Sequence, residues 1–347
     1  MLFLIAAFTA VTSLGATEAL ASNPPLFDGN SPIDIRLSAD WDKLLRDRQS
    51  KPKRHAAILT VNPETAASQS FDITVSLRGK SRRRKENCEF PPLLLNFKRE
   101  QVADTLFDGQ NKLKLVTHCT KLGRTRVTSD DRLHSEYLLY RIYNLITPNS
   151  YKVRPVSITY SYMTKRTSHN HVAFLIEHKS DLAKRTGGTL INKPTVGVNS
   201  LSKRPSSLAA LFNYFAGNTD FNFTQGPKGD SCCHNAISMT KGDEIIPIPY
   251  DFDATGFVDP PYAKHTAGPR LRSITQRLYR GFCAHKDGLD FAKERFLTTK
   301  PAIDELLATY PEISGPRRKK LQRYSRQFFS TLTNPKQFER KIQRECR

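Results

Sequence analysis

Along the chain the apolar positions change period, and the changes mark out the elements. From residue 56 to about 117 they recur at every second position in short runs bounded by turn formers, as half-buried strands require. Ala57-Ile58-Leu59-Thr60-Val61 and Phe71-Asp72-Ile73-Thr74-Val75-Ser76-Leu77 are two such runs, joined by Asn62-Pro63-Glu64-Thr65. Residues 93–97 and 112–117 supply two more; the last places Leu113, Leu115 and Thr117 on one face and Lys112, Lys114 and Val116 on the other. Helical spacing takes over near Asp130-Asp131, where Leu138, Leu139, Ile142, Leu145 and Ile146 recur until Pro148 ends the pattern. Strand-like runs follow at 151–153, 156–162 and 172–176, then a short helix at 181–185 and a boundary at Gly187-Gly188. Beyond it the chain reads as mostly helical. Residues 207–215 are apolar on nearly every side, one strand is expected at 245–250, and helices are expected near 270–279, 288–297, 301–310 and 315–329. Upstream, 40–48 reads as a short helix and 50–54 as a loop.

These elements divide the chain into a leader (1–21), an N-terminal extension (22–55), a β-rich region (56–186) and a helical region (187–347) ending in a basic helix. The first 21 residues are almost wholly apolar or small and close on Ala19-Leu20-Ala21, which reads as a signal peptide. The apolar run at 2–14 is too short for a comfortable membrane span, and no second candidate follows. The mature protein is therefore expected to be soluble and secreted or periplasmic. Composition adds two constraints. With 38% apolar and 25% charged residues the chain is globular rather than disordered. The balance of 54 Lys and Arg against 33 Asp and Glu, +21 overall, favours anionic partners without naming one, and nothing points to specific nucleic-acid recognition.

Six cysteines suit an exported protein. Cys88 and Cys119 are expected to pair across neighbouring strands. Adjacent Cys232 and Cys233 are expected to avoid each other, because a vicinal bond strains the peptide between them, and to pair with Cys283 and Cys346. A Cys-Cys-His zinc site is the rival reading, but the spacing offers no C-x-x-C pair.

The chemistry concentrates between Gly217 and Asp253. Gly217-Asn218-Thr219-Asp220, Cys232-Cys233-His234-Asn235 and Pro249-Tyr250-Asp251-Phe252-Asp253 bring together three carboxylates and an amide, oxygen ligands suited to a hard divalent cation. A loop Asp, a downstream Asn and a strand-end Asp are also the parts of a phosphotransfer site. His234 reads as a structural hydrogen-bonder.

Together with Arg78-Gly79-Lys80-Ser81-Arg82 and Ile176-Glu177, these blocks resemble the CotH family, secreted or surface proteins with an atypical protein-kinase-like fold. The blocks Cys-Cys-His-Asn and Pro-Tyr-Asp-Phe-Asp are similar to those of a group of exported bacterial relatives. The resemblance spans roughly residues 56–300. It implies an α+β, two-lobed, kinase-like fold: a mainly antiparallel N-terminal sheet with one helix, and a mostly helical C-terminal lobe. It implies ATP with Mg²⁺ or Mn²⁺, and transfer of a phosphoryl group to a protein or anionic envelope component. Asp220 would be the catalytic acid-base residue, and Asn235, Asp251 and Asp253 the metal ligands. Arg78, Ser81, Arg82, Lys112, Lys114, Glu136 and Glu177 would serve the nucleotide, with Lys114 or Lys112 at the phosphates, Lys114 paired to Glu136, and Ser81 with its arginines covering the phosphates. An inactive, polyanion-binding protein and a metal-dependent phosphohydrolase are the alternatives. Two departures stand out: no G-x-G-x-x-G is present, and Asp220 and Asn235 are 15 residues apart.

Overall fold

Seven strands close into a mixed barrel in a computed structural model that describes residues 26–49, 51–120, 127–264 and 270–347. The expected leader lies outside the described residues, among which no helix is long and apolar enough to cross a membrane. The strands are β1 (Ile33–Ala39), β2 (His55–Val61), β3 (Gln69–Leu77), β4 (Leu93–Asn96), β5 (Lys112–Val116), β6 (Val153–Tyr162) and β7 (Ser168–Ile176), in the order β1-β2-β3-β4-β5-β7-β6. Neighbours are antiparallel except β1 and β6, whose parallel pairing from Ile33–Val156 to Ala39–Tyr162 closes the ring.

This is not the two-lobed kinase-like arrangement that the resemblance implies, and the closing strand is the reason. It comes from the segment expected to be an extension. Ile33, Ile35, Leu37 and Ala39 alternate with Asp34, Arg36 and Ser38, so one face of β1 joins the barrel interior while its backbone satisfies the two strands that would otherwise be edges. The interior is filled from every strand: Leu59, Ile73, Leu95, Leu113, Ile158 and Leu175 pack there with Trp41 of α1 (Trp41–Arg46). Pro155 interrupts the alternation of β6, so the two runs expected there are one strand.

Strand β7 shows how the barrel meets the rest of the chain. His171, Ala173 and Leu175 point inward, while Phe174 and Ile176 pack outward against α2 (Val127–Ile146). The second hydrophobic core gathers α2, α4 (Lys203–Ala216), α5 (Leu289–Thr309) and α6 (Gly315–Thr333), with α3 (Lys179–Thr186) at its margin. A three-stranded sheet of β8 (Thr189–Leu190), β9 (Ala236–Lys241) and β10 (Glu244–Pro249) lies in the same region, where a single strand was expected. Two helices are expected where α5 runs; Pro301 sits inside one continuous helix. No helix forms at 271–279. There the Gln276 Oε1 accepts from the backbone of Arg272 and Ser273, and Ser273 Oγ from that of Thr275, which diverts donors a helix would use.

Cys88 and Cys119 pair as expected, but the other four do not. Cys283 joins Cys346, because the backbone bonds Cys283 N to Arg347 O and Arg347 N to Gly281 O bring the C-terminus alongside. Cys232 and Cys233 lie at disulfide distance from each other, both against the Phe223 carbonyl.

The junction of α2 and α6 gives a test of the helical packing. Ser314 caps α6 by accepting from Arg317 N and donates to Asp131 Oδ2 at 2.5 Å, while its own N–H reaches Asp131 Oδ1 at 2.8 Å. Ser314→Ala is expected to lower stability by about 1 kcal/mol, read in denaturant unfolding.

Candidate functional site

A cavity of about 730 Å³ opens between the barrel and the β9–β10 sheet. Its lining mixes both charges. Arg78, Lys80, Lys114, Lys179 and Lys264 line it as cations, and Asp220, Asp230, Asp251 and Asp253 as acids.

The Asp220 end is built by the termination of α4. Gly217 takes φ +68°, and its N–H satisfies the last carbonyls of the helix, so the chain turns out at once. A side chain there would also run into the Tyr324 hydroxyl. Asn218 Nδ2 then donates to Asn213 Oδ1 at 2.8 Å, and Asn218 Oδ1 accepts from Asp220 N at 2.9 Å. These bonds fix where the Asp220 carboxylate points. Two residues from the far end of the Cys-Cys loop meet it. His234 Nε2 lies 2.8 Å from Oδ1, and Asn235 Nδ2 donates to Oδ2 at 3.2 Å and to the Asp220 carbonyl at 2.6 Å. The loop returns because His234 bridges Asn222 in antiparallel fashion and Asn235 O accepts from Tyr250 N. The 15-residue separation thus closes in space. The His234 hydrogen bond holds the Asp220 carboxyl below its ordinary range, and the same bond raises the imidazole.

The Asp251 end begins where β10 stops. Asp251 has φ +63° and Asn235 φ +50°, a left-handed conformation uncommon for residues other than glycine. Asp251 N donates to the buried Tyr140 hydroxyl at 3.0 Å. Behind it, Arg82 is surrounded by carboxylates: Glu136 at 3.2 Å, Asp251 at 3.4 Å and Asp253 at 3.1 Å. Burial opposes the charge on Arg82, but Asp253 and Glu136 outweigh it and hold the guanidinium charged. Burial pushes Glu136 and Asp253 above the usual carboxylate range, with Arg82 acting against that shift. Tyr262 donates to Asp253 Oδ2 at 2.8 Å.

The half-buried Lys114 Nζ lies 4.9 Å from the Tyr250 ring centre and 5.7 Å from that of Tyr151. Burial, reinforced by Arg78, brings its ammonium down to about 7.

Arg78, Ser81, Arg82, Lys114, Asp220, Asn235, Asp251 and Asp253 therefore line one cavity. Three of the residues singled out from the sequence do not. Lys112 is exposed at the start of β5, outside the cavity lining. Glu177 is buried in a two-pronged pair with Arg185, at 2.8 and 2.9 Å, and accepts from Lys152 N, which gives it a local structural task. Glu136 sits behind the cavity and bonds Arg82 rather than Lys114. Ser81 Oγ accepts from Asn87 Nδ2 within its own turn. Residues not singled out for the site also line it: His234 on Asp220, and Tyr250, Tyr151 and Lys179. Their only sequence signal is position, one residue from Asn235 or Asp251 in the case of His234 and Tyr250.

The acidic part of the lining offers two carboxylates and, since its nitrogen is engaged with Asp220, the carbonyl oxygen of Asn235. Among the described residues no three His, Cys, Asp or Glu side chains converge as a metal site. An all-oxygen set this small suits a hard cation that keeps much of its water. Neither a scan against protein-family models nor a search of curated proteins finds a match to this chain.

Proposed function

We propose that this cavity is a metal-dependent phosphotransfer site, taking a nucleoside triphosphate such as ATP and passing a phosphoryl group to a protein or anionic envelope acceptor. The observation that carries the reading is the meeting of both charges in one cavity: Arg78, Lys114 and Lys179 line it together with Asp220, Asp251 and Asp253. Phosphoryl transfer asks mainly for positioning and charge neutralisation, and the mixed charge of the lining supports that reading. The short blocks resembling the CotH family support the same assignment, although the barrel is not that family's expected fold.

Arg78, Lys114 and Lys179 would take the phosphates; an anion beside Lys114 favours its protonated form. Asp251, Asp253 and the Asn235 carbonyl would hold Mg²⁺ or Mn²⁺, which when bound neutralises phosphate charge. Asp220, fixed by Asn218, Asn235 and His234, receives the acceptor hydroxyl and its proton. The test is incubation of the oxidised mature chain with labelled ATP and Mn²⁺ or Mg²⁺. Label should reach an acceptor, or the chain itself, only with metal, and Asp220→Ala should lower the rate about a hundredfold or more. Wild-type protein that neither binds nor turns over metal–nucleotide would overturn the reading; hydrolysis without acceptor labelling would redirect it to a phosphohydrolase.

The basic residues of the lining and the net charge of +21 favour one second reading, an inactive protein that docks on an anionic envelope polymer. It predicts salt-sensitive polyanion binding that survives Asp220→Ala.

A further inference from the structure

Arg82 belongs to the run Arg82-Arg83-Arg84-Lys85, yet it turns inward and ends among three carboxylates. Its side chain is 8% exposed, those of Glu136 and Asp253 are 4% and 12%, and that of Asp251 is 36%. Asp251 is the most exposed of the four and lines the main cavity with Arg82 and Asp253, while a second cavity of about 170 Å³ is lined by Arg82, Glu136 and Asp253. Both of the acids that would face a divalent ion already face a guanidinium. One guanidinium is shared by three acids, and a second observation bears on the same group. Glu136 Oε1 is fully buried and has no hydrogen-bond partner among the described residues. Buried polar atoms are nearly always satisfied, so a buried carboxylate oxygen without a protein partner calls for a water, a proton or a cation beside it.

We propose that Arg82 is a resident counter-cation that stands in for a divalent ion between Asp251 and Asp253 and keeps the affinity of the free protein for such ions low. The proposal rests only on the metal part of the phosphotransfer reading. It assigns Arg82 to the acids, in contrast to the phosphate-covering role expected from its place beside Ser81. A guanidinium spreads one charge over several donors, so it bonds all three acids at once without drawing them into a tight shell. Removing it exposes two or three carboxylates to whatever cation enters through the cavity. If Arg82 were only a structural ion-pair residue, its loss would weaken the fold and create no cation site.

The experiment measures Mn²⁺ binding by electron paramagnetic resonance, without nucleotide, on the full mature chain. Wild type should bind Mn²⁺ weakly. Arg82→Gln should bind it at least tenfold more tightly, and Asp251→Asn added to that variant should remove the gain. Should Arg82→Gln fail to fold, Arg82→Gln with Glu136→Gln relieves the most buried acid and keeps the two nearer the cavity; it too should exceed wild type at least tenfold. No gain in the folded variant, or a gain that persists with Asp251→Asn, overturns the proposal. The phosphotransfer reading is judged separately, by nucleotide binding and turnover of wild type, so the two can fail independently.

Discussion

Arg82→Ala is expected to lower folding stability by about 3–5 kcal/mol, measured by denaturant unfolding at neutral pH. The magnitude follows from what the substitution leaves behind. An exposed pair such as Lys203–Asp287 is surrounded by water, and its removal is worth about 0–1 kcal/mol. Arg82, by contrast, is buried with Glu136 and Asp253, so deleting it strands acids that cannot recover their hydration. Adding Glu136→Gln to Arg82→Ala should restore part of the loss, because one of the stranded charges is then gone. Lys203→Ala serves as the control and should move the transition little. A loss of under about 1 kcal/mol for Arg82→Ala would mean that the acids reorganise toward solvent, and the picture of a buried ion cluster would fail.

The same arginine shows what can be read in the sequence and what cannot. Alternation is a local signal, and it gave β2, β3 and β5 to within a residue or two. It is equally present in Ile33–Ala39, a segment expected only as part of an N-terminal extension. No local pattern announces that a strand will pair with one 123 residues away. Closure of the barrel is a long-range fact, and missing it turned a closed barrel into an expected open sheet. The site follows the same division. Asp220, Asn235, Asp251 and Asp253 were visible because carboxylates and amides beside turn formers are sparse in a basic chain. His234 reads as a hydrogen-bonder, but a histidine beside an asparagine carries no sign of which carboxylate it will face. In Arg82-Arg83-Arg84-Lys85 four like charges look alike, and only the fold distinguishes the one that turns inward. Glu177 illustrates the opposite error: a strand-end acid suggests chemistry, whereas Arg185 one helix later takes both of its oxygens.

Mild acid is expected to destabilise the barrel through two histidines that have no part in the proposed site. His118 and His171 stack face to face, with ring centres 3.6 Å apart and planes 5° apart, and His118 also stacks on Phe90 at 4.9 Å. Tyr160 and Trp41 complete this aromatic packing. Burial pushes His118 down to about 2 and His171 to about 4, with His169 adding like charge to both. Above the ordinary imidazole value of about 6.5, folded and unfolded chains both hold these rings neutral, and the full stability is present. As the pH drops below that value, the unfolded chain takes up protons that the packed rings refuse, so stability falls. At pH 4.5 the loss amounts to roughly 2–3 kcal/mol per imidazole. Glu136 and Asp253, raised by burial, act in the opposite direction, so the decisive quantity is a difference between two proteins. His118→Phe keeps an aromatic ring between Phe90 and His171 and removes one of the two titrating groups. Its stability should fall by about 2 kcal/mol less than that of wild type between pH 7 and pH 4.5. Equal losses would show that the fold admits a proton at His118, which a ring packed between Phe90 and His171 should not allow.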